Sequence, residues 1–372
     1  MLIRFLIYIL FFSIQIVLNQ EMPPDLFDTN IKKIKYDAGE NWESNSTLEP
    51  FRYNEYKNNN FNFQLIESHF GLKLKNTDLN FFNYYKHNLK SNIYIYMYGS
   101  INSKVESKNK FFNKKKYSLY KINLSGLGYS NDWIDIQFGK GFQNWGANHD
   151  IQLIMSDKSS PYTFGVLGLN LGVLRVRYFH GFLESDSNRI NRYITGRGLE
   201  WTNKKTIIFS ISEVVIYSGF ERSLDFSYLN PMSTHLEIEL NDRTNLVGSG
   251  NGNGIWQLSS DILLLTKIRI SCNYLIDEFV LDKEQKNKGK ASGRAYSYKI
   301  VYNPWINNDN IFSLFISRIS VGTHTFRHQV GSNNFVQSGK PIGPILGSDF
   351  IEDKVGINIL VRKDLLAYFN IG

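Results

Sequence analysis

Apolar and polar positions alternate over long runs of this chain. In Leu263 to Asp277, one parity holds Leu264, Thr266, Ile268, Ile270, Cys272, Tyr274 and Ile276. The other holds Lys267, Arg269, Ser271, Asn273 and Asp277. A β-strand sends successive side chains to opposite faces, so this run predicts one long strand with an apolar side and a charged side. It is about twice the usual globular strand length. A long strand of this kind suits a transmembrane barrel, apolar to lipid and polar to the lumen.

The pattern recurs. Tyr94, Tyr96 and Tyr98 alternate with Ile93, Ile95 and Met97. Ile134, Ile136 and Phe138 oppose Asp135 and Gln137, and in Val173 to Leu183 the residues Leu174, Val176 and Tyr178 oppose Arg175 and Arg177. Further strands are expected at Tyr117 to Leu127, Tyr193 to Trp201, Thr206 to Tyr217, His235 to Leu240, Trp256 to Asp261, Arg294 to Tyr302, Ile311 to Val321, Lys354 to Arg362 and Leu365 to Ile371. Gly/Asn/Ser turn signals separate them. Residues 322–348 carry Gly, Asn, Ser and Pro without alternation, as a long extracellular loop would. The expected fold is all-β: an antiparallel transmembrane β-barrel of the outer membrane with roughly 14–18 strands. Leu365 to Gly372 is either the closing strand, or the chain is C-terminally truncated.

Composition fits this picture: aromatics make up 15% of 372 residues, with 22 Tyr and 27 Phe. Such residues favour strands and form the girdles of membrane barrels. Arg4 followed by the apolar Phe5 to Leu18 reads as a signal peptide, too short to span a bilayer as a helix. The expected organisation is a signal peptide over 1–20, a loose N-terminal periplasmic segment over 21–50, and the barrel over 51–372. The lone Cys272 is expected to be a buried, inert thiol. Part of the +8 net charge is the lysine run between Lys104 and Lys116, read as a solvated turn.

Signals for catalysis are weak. No phosphate-binding Gly-rich loop, G-x-S-x-G elbow or H-E-x-x-H occurs. His324 and His328 lie in a Gly/Asn loop and read as loop histidines, so no metal and no cofactor is expected. Asp277 and Glu278 are adjacent and would point to opposite strand faces, so they cannot flank one glycosidic bond. Glu213 shares its parity with Ile207, Phe209 and Ile211. A carboxylate facing lipid is costly, so the strand must bulge, end near the rim or turn Glu213 inward, where it would pair with a lumen arginine. Arg175, Arg177, Lys267, Arg269, Lys299, Lys354 and Arg362 fall on polar faces. They would either select anions and acidic polymers or pair with lumen acids such as Asp135.

Eight short stretches, in order, resemble the Wzi-type outer-membrane capsule assembly proteins. They are FGKGFQNWG (138–146), IMSD (154–157), GRGLEW (196–201), SEVVIY (212–217), YLNP (228–231), IDEF (276–279), THTFRH (323–328) and GKPIGPILGSD (339–349). The resemblance implies a lectin-like barrel that binds capsular or exopolysaccharide at the cell surface and helps assemble or retain the capsule, without catalysis. Its implied partners are that polysaccharide and outer-membrane lipid, with the capsule export machinery as an additional candidate and no nucleic acid. Ala147 stands where the family usually has Pro, and members are commonly longer. Candidate polysaccharide-binding residues are Trp145, Arg197, Glu200, Glu213, Asn230, Asp277, Glu278 and His328, with Arg175, Arg177 and Arg269 in the lumen. Two rivals stand beside this reading. One is a porin or solute channel with a basic lumen and one loop folded inside. The other is a barrel lipase or deacylase using Ser212 and His180.

Overall fold

The computed structural model describes Gln15–Ile16 and residues 34–40, 42, 45–50, 66–75, 78–90, 92–102, 121–240, 252–277, 293–307, 310–361 and 365–372. The wall comprises β1 (Ile66–Lys75), β2 (Asp78–Lys90), β3 (Ile93–Asn102), β4 (Lys121–Ser130), β5 (Ile134–Gly141), β6 (Tyr162–Leu171), β7 (Leu174–Ser185) and β8 (Ile190–Thr202). It continues through β9 (Ile207–Phe220), β10 (Asn253–Leu264), β11 (Ile268–Ile276), β12 (Arg294–Asn307), β13 (Asn310–Val321), β14 (Phe350–Val361) and β15 (Leu365–Ile371). Each pairs antiparallel with its sequence neighbours. Gln15–Ile16 adds a last rung on β15 and completes one 16-stranded sheet. Among the described residues no ladder joins β1 to β15. The architecture is that of an outer-membrane β-barrel, within the expected strand range.

The two ends differ in their connections, with 186–189 a short turn at the long-loop end. At one end they are short: 131–133, 172–173, 203–206, 265–267 and 308–309. At the other end lie the long ones: 142–161, 221–252, 277–293 and 322–349. Short periplasmic turns and long extracellular loops are the rule for these barrels, which orients the wall. Exposed Trp133, Trp201, Phe209, Tyr302 and Trp305 ring the short-turn end, and Phe182, Tyr274 and Tyr296 stand nearer the other. Between them Leu199, Ile211, Ile300, Leu314 and Ile316 face outward.

Parity sorted the faces well. Arg175, Arg177, Arg269, Ser271, Asn273 and Lys299 are buried inside, while Ile136, Phe138, Leu174 and Tyr274 face out. Three expectations need correction. Leu263 to Asp277 is not one strand: Leu265 and Thr266 adopt positive φ (51° and 56°) and turn a hairpin between β10 and β11. Its apolar alternation carries on through the turn, so parity alone could not see the break. His235–Leu240 is a short helix, not a strand. Cys272 is exposed on the outer, lipid-facing surface and is not buried. The lysine run at 104–116, Arg362 and most of residues 1–33 lie outside the described residues.

Candidate functional site

Among the described residues, three segments enter the lumen. The described residues of 34–50, a stretch read from sequence as part of a loose segment, pass inside the wall. Ile34 and Ala38 pack on Ile311, Leu360 and Leu366, Trp42 packs on Ile208 and Leu263, and Leu48–Pro50 pairs with Gln143–Trp145. Burial of such apolar surface contributes about 25 cal/mol per Å². Polar anchors fix the register. Asp37 accepts from Lys299 Nζ at 2.8 Å, Asn148 Nδ2 at 2.8 Å and Arg269 Nη1 at 3.3 Å. Arg269 also grips Asp261, donating Nε to Oδ1 at 2.8 Å, and lies over the Trp42 ring. Glu200, wholly buried, accepts from Thr47 N at 2.6 Å, Thr47 Oγ1 at 2.7 Å and Arg175 Nη1 at 2.8 Å. Arg175 donates as well to the Asn45 carbonyl.

The connection 142–161 folds into the same space. Asn273 Oδ1 accepts from Ala147 N at 2.7 Å, and Gln257 Oε1 accepts from Ile154 N at 3.0 Å. Ser297 Oγ donates to the Ile151 carbonyl at 2.6 Å, and Asp150 takes a second Lys299 contact at 2.7 Å. Ile151, Leu153, Ile154 and Met155 fill the centre with Trp145, Phe179 and Val214. Above them the connection 322–349 closes the extracellular end. Ser156 Oγ donates to the Gly343 carbonyl at 2.6 Å, Gln337 Nε2 to the Leu183 carbonyl at 2.8 Å, and Arg192 Nη2 to the Asn334 carbonyl at 2.7 Å. Asp277 accepts from Phe326 N in the same cap.

The sequence-derived candidates therefore scatter. Trp145 is 1% exposed and packs edge-on against Phe179 at 5.2 Å, so it offers no face to a sugar. Glu200, Arg175 and Arg269 hold the N-terminal segment, and Asp277 holds the cap. Arg177 lies against Gly168, where an added Cβ would stand 1.8 Å from its Nη1, and donates Nη2 to Asn170 Oδ1 at 3.3 Å. Asn230 is exposed and caps its own turn, accepting from Met232 N at 3.0 Å. His328 Nδ1 accepts from Val330 N at 3.1 Å. Glu278 lies outside the described residues. Glu213 did not turn inward: it stays on the outer face, wholly buried, with Arg197 Nε at 3.3 Å and His235 Nδ1 at 2.6 Å. Ser212 and His180 sit on opposite faces, since Gly198 beside Ser212 meets Leu48 inside while His180 meets Tyr217 outside. They form no catalytic pair.

Among the described residues a cleft of about 400 Å³ stays open between the N-terminal segment, the inward loop, the cap and β13 to β15. Phe315, Phe350 and Tyr368 give it aromatic faces, and Asn358, Asn370, Glu352 and Lys354 give it polar ones. Its volume falls within the range of small-ligand sites, about 300–1,000 Å³. Its charged lining is close to balanced: Asp37, Asp150 and Glu352 against Lys158 and Lys354. Glu352 and Lys354 pair with each other at 2.7 Å. Of these residues only Lys354 had been singled out from sequence. The parity of β14 and β15 was the available signal for the others.

No protein-family model matches the chain, and no curated protein matches it by sequence. Its structure is similar to Escherichia coli Wzi, described as an outer membrane protein involved in group 1 capsule assembly and a carbohydrate-binding β-barrel. That match has 12% identity and a TM-score of 0.59, over 78% of this chain and 63% of that one. The chain thus spans less than two thirds of Wzi. OccK11 (OpdR) of Pseudomonas aeruginosa matches at 9% identity and TM-score 0.42, over 83% of this chain and 78% of that one. A loop-deletion mutant of OmpT, an outer membrane protein of Vibrio cholerae, matches at 7% and 0.39, over 79% and 85%. The expected resemblance holds at the level of the fold.

Proposed function

We propose that this protein is a lectin-like outer-membrane barrel that binds capsular or exopolysaccharide at the cell surface and helps retain it there, without catalysis. The occupied lumen carries the reading. The N-terminal segment, the inward loop and the cap occupy the interior in series. Of the lumen cations that a basic channel would present, Arg175, Arg269 and Lys299 are each paired with buried acids, while Arg177 is buried against Asn170. That disfavours the solute-channel alternative, and it leaves the cleft and the extracellular cap as the accessible polar surface.

The cleft suits a sugar. Flat rings stack on the apolar C–H faces of a pyranose, while amide and carboxylate groups reach its hydroxyls. With its charges nearly balanced, the cleft favours a neutral glycan segment over a polyanion. The capsule export machinery is the partner that would supply polymer. The test compares a deletion strain with its parent for cell-bound and released polysaccharide. Equal synthesis with more release is expected. Unchanged retention, together with single-channel conductance of the purified protein, would replace this reading with the channel.

A further inference from the structure

The connection after β9 doubles back over the outside of the wall. Residues on the lipid-facing parity of β7 to β9 receive it. Tyr193, Tyr217 and Tyr228 stack in series, with ring centroids 5.1 and 4.5 Å apart. Arg222 lies 4.6 Å above the Tyr217 ring and pairs with Asp225 at 2.7 Å. Beneath the short helix His235–Leu240 lies the buried Arg197–Glu213–His235 cluster. Its height can be read from the strands. The Arg197/Glu213 pair stands four residues above the Trp201/Phe209 pair of the lower girdle. At about 3.3 Å per residue and a tilt near 40°, that is about 10 Å up an apolar band about 25 Å tall. Bare to lipid, these charges would be expensive.

Irregular backbone at membrane depth is tolerated only where its polar groups find partners in protein. Here the wall supplies them. Tyr178 OH donates to the Tyr228 carbonyl at 3.0 Å, and Tyr193 OH and Asn191 Nδ2 both donate to the Arg222 carbonyl at 2.9 Å. Glu213 accepts from His235 N at 3.2 Å. The segment caps itself elsewhere, through Asp225 Oδ1 to Ser227 N at 3.0 Å and Thr234 Oγ1 to Glu237 N at 3.2 Å. Its other side exposes large apolar residues: Phe226 is 76% and Met232 79% exposed, with Leu224 and Leu236 also exposed, interspersed with Ser223, Asn230 and Glu237. This surface is continuous with the belt residues Leu199 and Ile211 just below it on β8 and β9.

We propose that residues 221–238 are a re-entrant strap that enters the membrane from its outer side and reaches down to about the midplane, with Phe226, Met232 and Leu236 contacting lipid acyl chains in place of the wall. The polar residues at lipid-facing positions of β7 to β9 are there to satisfy the strap's backbone. The proposal rests on the membrane-barrel fold, not on polysaccharide binding. Cys272 is the chain's lone cysteine, so a Cys272→Ser background accepts single reporters at Phe226→Cys and Met232→Cys. Ile211→Cys serves as the belt control and Ser338→Cys as the cap control. Each is labelled with a small fluorophore, placed in phospholipid vesicles, and quenched either by acyl-chain nitroxide lipid or by aqueous iodide. The strap labels should follow Ile211→Cys: quenched by nitroxide lipid and shielded from iodide. Quenching by iodide to the level of Ser338→Cys would put the strap in water and overturn the proposal. Insensitivity to both quenchers would mean that protein covers the strap, which also overturns it. Failure of Ile211→Cys to meet nitroxide lipid would remove the membrane placement itself, and the strap with it.

Discussion

Asp37 and Lys299 stand 262 residues apart in the chain and 2.8 Å apart in the lumen. The contact ties the N-terminal segment to the wall at a point where Asn148 and Arg269 also reach the same carboxylate. It neutralises Lys299 and Arg269 from the N-terminal side as well as from the wall and the inward loop.

Asp37→Ala tests that lock. Lys299 keeps Asp150 and Arg269 keeps Asp261, so neither cation is stranded. The cost should be that of hydrogen bonds to a charged group, about 1.5–3 kcal/mol, and the barrel should still fold. The N-terminal segment should loosen. Planar-bilayer recordings should show conductance in the variant and little in the parent. A closed variant would mean that the inward loop and cap seal the lumen unaided.

Neighbouring residues on β11 should fail in different ways. Ile270 faces outward, so Ile270→Arg should cost about 2–4 kcal/mol if near the midplane and impair insertion into vesicles. Ser271 looks from parity like a lumen position that would take an arginine. It is wholly buried, and its hydroxyl donates to Asp261 Oδ1 at 2.9 Å. Ser271→Arg should insert but displace the plug, read as heat-modifiable migration on a gel together with raised conductance. If both variants fail to insert, the two faces of β11 are equivalent and the barrel assignment of this strand is wrong.

Parity decided which residues lie inside and which outside, because one-residue register slips flip every side chain and the sequence alternates strictly in β5, β7 and β11. It could not say what covers a face. The inside of this barrel holds protein instead of water, through contacts such as Thr47 with Glu200 that span 153 residues and leave no local pattern. The same blindness hid the fate of Glu213, whose outward position is satisfied by a distant helix. Trp145 and Arg197 sit in the motifs that resemble the Wzi-type family, and their positions show what those motifs do here. FGKGFQNWG runs from the end of β5 into the inward loop and IMSD lies in that loop, GRGLEW and SEVVIY belong to the wall under the strap, and GKPIGPILGSD to the cap.

Arg197→Ala would leave Glu213 wholly buried without its guanidinium partner. Breaking a buried pair from one side costs about 3–5 kcal/mol, so the variant should melt earlier in detergent. Arg197→Ala with Glu213→Gln should recover part of the loss, since the stranded charge is gone. If the single variant matches the parent in thermal unfolding, the pair is solvated in solution and the strap does not seal it.

Aromatic residues give the sharpest functional contrast. Trp145→Ala deletes a side chain packed on Phe179 and Leu48, so it should destabilise by about 3–5 kcal/mol and lower the amount of folded barrel in the membrane. Any loss of polysaccharide retention should then scale with that amount. Tyr368 lines the cleft, is partly exposed and carries no core packing. Tyr368→Ala should leave thermal stability near the parent's and still release polymer to the medium, because it removes a stacking face from an otherwise intact site. Tyr302→Ala, on the outer girdle, is the matched control and should retain polymer normally. Cell-bound and released polysaccharide, normalised to folded protein, separates the three. Normal retention with Tyr368→Ala would exclude the cleft as the binding surface and move the search to the exposed cap around Arg327 and Lys340.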